Sequence, residues 1–200
     1  MVDTNQQWHN TLSDGSSYMI SPARHLLSKS FIYDAFSLDE LYWATAPSPP
    51  AMETMIDNSW TFGLYLQSPT PINSTSPYSS PSQSSLEQIG MARLVADLTT
   101  FAYLTDVYIL PAHRGKDLGK WLITCVKEWC DTFPYLRSVI LLTSGGQPDQ
   151  SVEGNIRQKI RFYEENLGAE VLHSQSGFVA MKTPKKKRDG MRCDGRSWGI

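Results

Sequence analysis

One junction constrains the fold of this 200-residue chain more than any other feature. A strand pattern over residues 101–110 is ended by Pro111, because proline cannot donate to a strand ladder. From Lys116 to Trp129 the apolar residues recur three and four positions apart, which predicts a helix with one apolar face. A short loop joins the two elements and contains Gly115, with Gly119 one turn further on. The chain therefore passes directly from a strand into a helix, as α/β folds do.

The loop of this junction is typical of an anion-binding site. The first N–H groups of a helix have no partner within the helix, and phosphate is their usual ligand. Arg114, Lys116 and Lys120 add positive charge around these groups. Gly115 and Gly119 let the backbone approach a ligand without a Cβ in the way. An ordinary turn with a solvated basic rim fits the spacing equally well.

The remaining pattern predicts further strands and helices around the junction. The N-terminal half predicts a strand near 18–20 and helical patterns over 22–36 and 37–58, and Pro47, Pro49 and Pro50 interrupt the second of these patterns. Strands are predicted before and after a Ser/Thr/Pro-rich segment. The C-terminal half predicts a strand at 138–142, a helix at 155–166 ended by Gly168, and strands at 170–172 and 178–182. We expect a single domain over 16–183, a flexible N-terminus over 1–15, a flexible loop at 68–85 and a disordered basic tail over 184–200.

Composition excludes several classes of protein. The formal charge of −2 lacks the basic excess of a domain that holds nucleic acid by bulk electrostatics. The chain has no run of apolar residues long enough to span a membrane, so we expect no membrane partner. Three cysteines without zinc spacing predict no metal site and a reducing, cytoplasmic location. The basic run at 185–188 is either a nuclear import signal or a solvated tail.

The residues of the junction resemble the acetyl-CoA motif of the Gcn5-related N-acetyltransferase (GNAT) superfamily, written (Gln/Arg)-x-x-Gly-x-(Gly/Ala). Arg114 to Gly119 fills this motif, after the strand Val107 to Pro111. Residues 161–168 are similar to the family's helix ending in Phe-Tyr-Glu-x-x-Gly-Phe, although Ala169 stands where the family commonly has the last Phe. The segments 41–44, 91–97 and 101–107 resemble a little-characterised branch of fungal and bacterial type. The resemblance covers about residues 16–183 in the right order.

This resemblance implies a single α/β domain with a mixed, mostly antiparallel central sheet flanked by helices. It implies acetyl-CoA as cosubstrate, without a metal, and a direct transfer in a ternary complex. The strand that contains Val107 and Ile109 would splay from its neighbour and bind the pantetheine arm. The loop would hold the pyrophosphate through Arg114, Gly115, Lys116, Asp117, Leu118, Gly119 and Lys120.

Two residues are candidates for proton transfer. Tyr163 matches the family tyrosine that protonates the departing thiolate, although an aromatic residue on a helix also serves as packing. Asp106 is the candidate base, and strand alternation places it on one face with Leu104 and Tyr108. It lies either in the acceptor cleft or in the core as a structural carboxylate, and both alternatives stay open.

Asp117 departs from the motif, which has Gly at this position. A carboxylate beside the pyrophosphate would weaken binding by like-charge repulsion. Alternatively, Asp117 begins the helix and points outward into solvent, where its charge is favourable to the helix.

The function that these features imply is transfer of an acetyl group to a primary amine of a small molecule or peptide. The alternative is a weakly active or inactive acyl-CoA-binding regulatory module. Residues 1–110 hold ten acidic and three basic side chains, whereas residues 111–183 are nearly neutral. In the superfamily the first helices shape the acceptor site, so this asymmetry favours a cationic acceptor. The sequence leaves the oligomeric state open, with a homodimer among the alternatives.

Overall fold

The computed structural model describes residues 4–38, 41, 45–68, 85–144, 152–175 and 178–184. Within these ranges the chain forms eight strands: β1 (Trp8–Thr11), β2 (Ser17–Ser21), β3 (Trp60–Ser68), β4 (Ser85–Ala96), β5 (Phe101–Ile109), β6 (Ser138–Ser144), β7 (Glu170–Gln175) and β8 (Phe178–Lys182). The helices in the same ranges are α1 (Lys29–Phe36), α2 (Pro49–Asp57), α3 (Leu118–Asp131) and α4 (Val152–Leu167). The segments 68–85 and 184–200, predicted to be a flexible loop and a disordered tail, lie almost wholly outside these residues.

All eight described strands form one sheet in the order β1-β2-β3-β4-β5-β6-β8-β7. Every neighbouring pair is antiparallel except β5 and β6, which are parallel and are joined by the crossover helix α3. The predicted mixed, mostly antiparallel sheet flanked by helices is confirmed. No helix in the described part of the chain is both long and apolar enough to cross a membrane.

The helices cover the sheet from both sides. Successive residues of a strand point to opposite faces, and on β4 Met91 packs with α1 and α2 while Ala92 packs with α3. The larger core lies under α3, whose spacing of apolar residues buries Leu122, Val126 and Trp129 as the sequence predicts. The smaller core joins α1 and α2 to the sheet. Helix α2 starts at Pro49, so Pro49 and Pro50, predicted to interrupt this segment, instead begin the helix, where a missing N–H is harmless. Pro47 lies before the helix.

The predicted flexible N-terminus over residues 1–15 contains strand β1, so the expectation does not hold there. Although its sequence is polar, this segment forms an edge strand that pairs with β2 from Trp8 to Thr11. Trp8 packs against the larger core, and its indole N–H donates to Glu128 at 2.8 Å. One tryptophan therefore attaches a polar segment to the sheet.

Candidate active site

Strands β5 and β6 diverge at the centre of the sheet. Their parallel pairing runs from Phe101 with Ser138 to Leu104 with Leu141 and goes no further, although both strands continue. From Thr105 onward, β5 therefore has no β6 partner along one edge. This is the splayed strand that the resemblance implies, and Val107 and Ile109 lie on it.

A β-bulge in β5 sits immediately after the last pair with β6. Arg93 of β4 pairs with Thr105, and Met91 pairs with Tyr108, so two β5 residues oppose one β4 residue. The first of the two, Asp106, has a φ of 50°, in the left-handed region. Such an extra residue changes which face the following side chains point to.

The bulge makes the prediction of a common face for Leu104, Asp106 and Tyr108 wrong. Before the bulge, Leu104 points into the larger core beneath α3. After it, Tyr108 points into the smaller core beside α1 and α2, while Val107 and Ile109 now flank the larger core. Simple alternation fails because it assumes one residue of β5 for each residue of β4.

The side chain of Asp106 is 6% exposed and pairs with Arg93, whose Nε donates to the carboxylate at 2.7 Å. The Thr105 hydroxyl donates to its other oxygen at 3.2 Å. This geometry favours the structural carboxylate among the two alternatives for Asp106. A role as the base stays a prediction.

Arg114, the first residue of the motif, contacts the end of β5. Arg114 Nε donates to the carbonyl of Ile109 at 2.8 Å, and its guanidinium carbon lies 5.5 Å from the centre of the Tyr108 ring. On the opposite edge, the N–H of Leu110 donates to Ile89 of β4. Arg114 therefore lies against the edge of β5 that faces away from β4, and places its positive charge beside the end of the splayed strand.

Lys116 is tied to the N-terminal part of the sheet. Its Nζ donates to the hydroxyl of the buried Tyr18 at 3.4 Å and lies 3.7 Å from the carboxylate of Asp14. The hydrogen bond with Tyr18, and more weakly the charge of Asp14, raise the pKa of Lys116. These contacts place the ammonium group beside the loop in its charged form.

Asp117 begins α3 in a left-handed conformation, with a φ of 56°. Its side chain is 78% exposed, makes no capping hydrogen bond and lies 2.9 Å from Nζ of Lys120. The carboxylate raises the pKa of Lys120 through this contact. The outward-pointing interpretation of Asp117 is the one that the geometry favours. The left-handed backbone also explains why Gly suits this motif position, since Gly adopts it without strain.

The two glycines of this segment, Gly115 and Gly119, have different physical roles. Gly115 has a φ of 75° and nothing within 4 Å of the position a Cβ would take, so it is needed for backbone conformation beside open space. A Cβ on Gly119 would lie 3.6 Å from Ile109 and 3.7 Å from Phe162, which is ordinary contact. This ordinary spacing explains why the motif accepts Ala as well as Gly at the position of Gly119. Leu118 between them is buried in the larger core and anchors the start of α3.

Tyr163 lies on α4, half-buried against the larger core, with its ring 5.0 Å from that of Phe162. Phe162 in turn contacts Gly119, so α4 packs on the first turn of α3. Burial raises the pKa of the Tyr163 phenol to about 12. The phenol therefore stays protonated at neutral pH, as a proton donor must.

Two other titratable groups, Cys125 and Asp97, have structural roles outside the site. Cys125 is buried on α3, and burial raises the pKa of its thiol to about 12, which leaves it a core residue rather than a nucleophile. Asp97 lies at the other end of β5, where it accepts hydrogen bonds from Thr100 and Phe101, and these lower its pKa.

A cavity of about 840 Å³ opens at the far end of the sheet, where β3 begins and β4 ends. Its lining includes two ion pairs, Arg24 with Asp57 and Lys29 with Glu53. The loop after β5 lies at the opposite end of these strands. The cavity is therefore separate from the junction that the sequence singles out.

Three residues of the site were not assigned from the sequence. Arg93 belongs to a segment that carries the family resemblance, but its pairing with Asp106 depends on the bulge. Tyr18 and Asp14 reach Lys116 from about a hundred positions away, and no local pattern signals such a contact.

Comparison with known proteins agrees with this geometry. The model of the Acetyltransferase (GNAT) family matches residues 37–169, which include the splayed strand, the basic loop and Tyr163. The chain belongs to this family. A Gibberella zeae protein with the provisional name of acetyltransferase is 37% identical over 151 residues, which cover 76% of this chain and 78% of that protein. This GNAT protein is accordingly an acyltransferase.

Solved structures share the fold. A spermidine N-acetyltransferase from Vibrio cholerae, in complex with CoA and spermine, is 15% identical, covers 90% of this chain and 96% of its own, and has a TM-score of 0.51. The ribosomal-protein-S18-alanine N-acetyltransferase from Escherichia coli is 14% identical, covers 88% and 99%, and has a TM-score of 0.52. At these identities the likeness shows the fold alone.

Proposed function

We propose that this GNAT protein is an N-acetyltransferase that moves the acetyl group of acetyl-CoA to a primary amine. The observation that carries the proposal is the junction itself. A strand with a free edge leads within one short loop to the start of a helix surrounded by Arg114, Lys116 and Lys120. A thioester cosubstrate with a pyrophosphate group matches both parts.

The residues present fit acetyl-CoA. The Asp117 side chain makes no capping bond, so it leaves the first N–H groups of α3 for an anion. The open space beside Gly115 gives a phosphate room to approach these groups. The edge of β5 that no longer pairs with β6 beyond Leu104 offers backbone groups to an extended amide chain, in the manner of an added strand. Lys116 and Lys120 supply positive charge.

Acetyl-CoA supplies an activated acyl group and a good leaving thiolate. The chain contributes position, because the splayed edge and the loop fix the thioester relative to the amine. A backbone N–H of the β5 edge polarises the carbonyl as negative charge develops on it. Tyr163 donates its phenolic proton to the departing sulfur. The amine attacks the carbonyl carbon in its neutral form, the C–S bond breaks as the N–C bond forms, and the amine releases its proton to water.

We propose a cationic amine as the acceptor class. Helices α1 and α2 lie in the acidic part of the sequence, and the described cations of that part, Arg24, Lys29 and Arg93, are each paired with a carboxylate. Surplus carboxylates such as Asp34 of α1 remain. They would attract a positively charged substrate. One structure that shares the fold is a spermidine N-acetyltransferase, and this is compatible with the proposal.

The direct experiment follows thiol release from acetyl-CoA with panels of polyamines, amino acids, aminoglycosides and peptides. We expect turnover with at least one amine, preferentially a polycation, and none with the corresponding alcohols. Binding of acetyl-CoA without turnover of any acceptor would favour the regulatory module instead.

Replacing Asp117 by Gly is expected to tighten acetyl-CoA binding by about threefold, since Lys120 loses a competing surface partner. Asp117→Asn is the matched variant, because Asn tolerates the left-handed backbone without the charge. Equal gains in both variants, measured by calorimetry, indicate the charge as the cause. Unchanged dissociation constants would show that this carboxylate does not affect the cofactor.

A further inference from the structure

The ion pair of Arg93 and Asp106 occupies the point where β5 leaves β6. Asp106 follows the last paired residue, Leu104, by two positions, and it is the first residue of the bulge. Both of its carboxylate oxygens have a donor on the sheet, one from Arg93 and one from Thr105. The ion pair therefore lies within the sheet, at the point where β5 and β6 diverge.

The backbone at Asp106 needs such support. A φ of 50° is uncommon for any residue with a side chain, and Asp or Asn adopts it more readily than others. The bulge is also the reason that Val107 and Ile109 flank the larger core while Tyr108 faces α1 and α2. Loss of the bulge would restore simple alternation and exchange these faces.

We propose that Asp106 is a positioning residue, and that with Arg93 it locks the bulge so that the part of β5 beyond its last pair with β6 meets the pantetheine arm and thioester. This inference rests on the proposed function. It favours this role over that of the base, because the carboxylate is buried in the sheet and accepts a hydrogen bond on each of its two oxygens. Arg93 belongs to the site through Asp106 and does not contact the substrate.

The pair is tested by the affinity for acetyl-CoA, which needs no acceptor and no turnover. Calorimetry on Arg93→Met, Asp106→Asn and the double variant is expected to give dissociation constants about tenfold higher than that of the unaltered protein. Because the two residues act as one unit, the double variant should be no weaker than either single variant. Arg93→Lys keeps the charge, serves if Arg93→Met does not fold, and should retain part of the affinity.

Two control variants separate positioning from general destabilisation. Ile20→Ala removes a buried side chain of the same core on β2, which two strands separate from β5, and should lower Tm without changing the dissociation constant. Lys127→Ala removes an exposed ion pair on α3 and should change neither quantity.

Each outcome has one meaning. Weakened binding in both single variants, without further loss in the double variant, supports the proposal. Unchanged affinity in both single variants overturns the proposal. In that case, loss of turnover and of the acidic limb of the pH profile in Asp106→Asn alone would show that Asp106 is a base. A fall in Tm alone would show that the ion pair is only structural. Failure of the unaltered protein to bind acetyl-CoA would reject the proposed function, and the inference with it, before any variant is measured.

Discussion

The Tyr163→Phe variant will lose turnover by about 100-fold while its KM for acetyl-CoA stays the same. The substitution removes the hydroxyl that protonates the departing thiolate but keeps the ring that packs against the larger core beside Phe162. No residue in the described part of the chain is seen to hydrogen-bond that hydroxyl, so folding should be unaffected. Steady-state kinetics together with a thermal unfolding curve measures both effects.

The pH dependence adds a second readout for Tyr163. Because burial raises the pKa of the phenol to about 12, the unaltered enzyme should show no loss of kcat from this group between pH 7 and 10. Tyr135→Phe changes an exposed tyrosine after α3 and should leave kcat as it was. If Tyr163→Phe retains full kcat, the residue serves only as packing.

Replacing both Lys116 and Lys120 by Ala is expected to raise the dissociation constant of acetyl-CoA about 30-fold, because each ammonium group contributes a charge-assisted contact to the phosphates. Both groups are held beside the loop, Lys116 by Tyr18 and Lys120 by Asp117. The loss should shrink as salt is added, since exposed charges are screened.

A truncated thioester provides the control for the two lysines. Acetylpantetheine lacks the pyrophosphate, so the double variant should bind and turn it over as well as the unaltered protein does. Equal losses with acetylpantetheine and acetyl-CoA would mean that the substitutions distort the loop instead of removing phosphate contacts. Lys127→Ala, on the last turns of α3, should have no effect on either compound.

The sequence was sufficient to predict the junction because its signals are local. The spacing of Leu118, Leu122 and Trp129 sets the buried face of α3, and the motif from Arg114 to Gly119 lies within one loop. Strand β1 was not predicted because a polar edge strand lacks alternation, and its single anchor is Trp8.

The parts of the site that the sequence did not reveal depend on partners distant along the chain. The bulge at Asp106 is a mismatch between two strands, so neither strand carries its signature alone. The contacts of Lys116 with Tyr18 and Asp14 arise only once β2 has joined the sheet. Faces assigned by alternation therefore held on β5 up to Thr105 and failed beyond it.

Amide hydrogen exchange with and without CoA tests whether acetyl-CoA binds where β5 leaves β6. We expect slower exchange at residues 105–109 and 114–120, where the strand edge and the helix start would meet the ligand. Residues 56–61, which line the cavity at the other end of the sheet, should exchange as before. Protection of residues 56–61 with no change at 105–120 would show that CoA binds in the cavity and not at the junction.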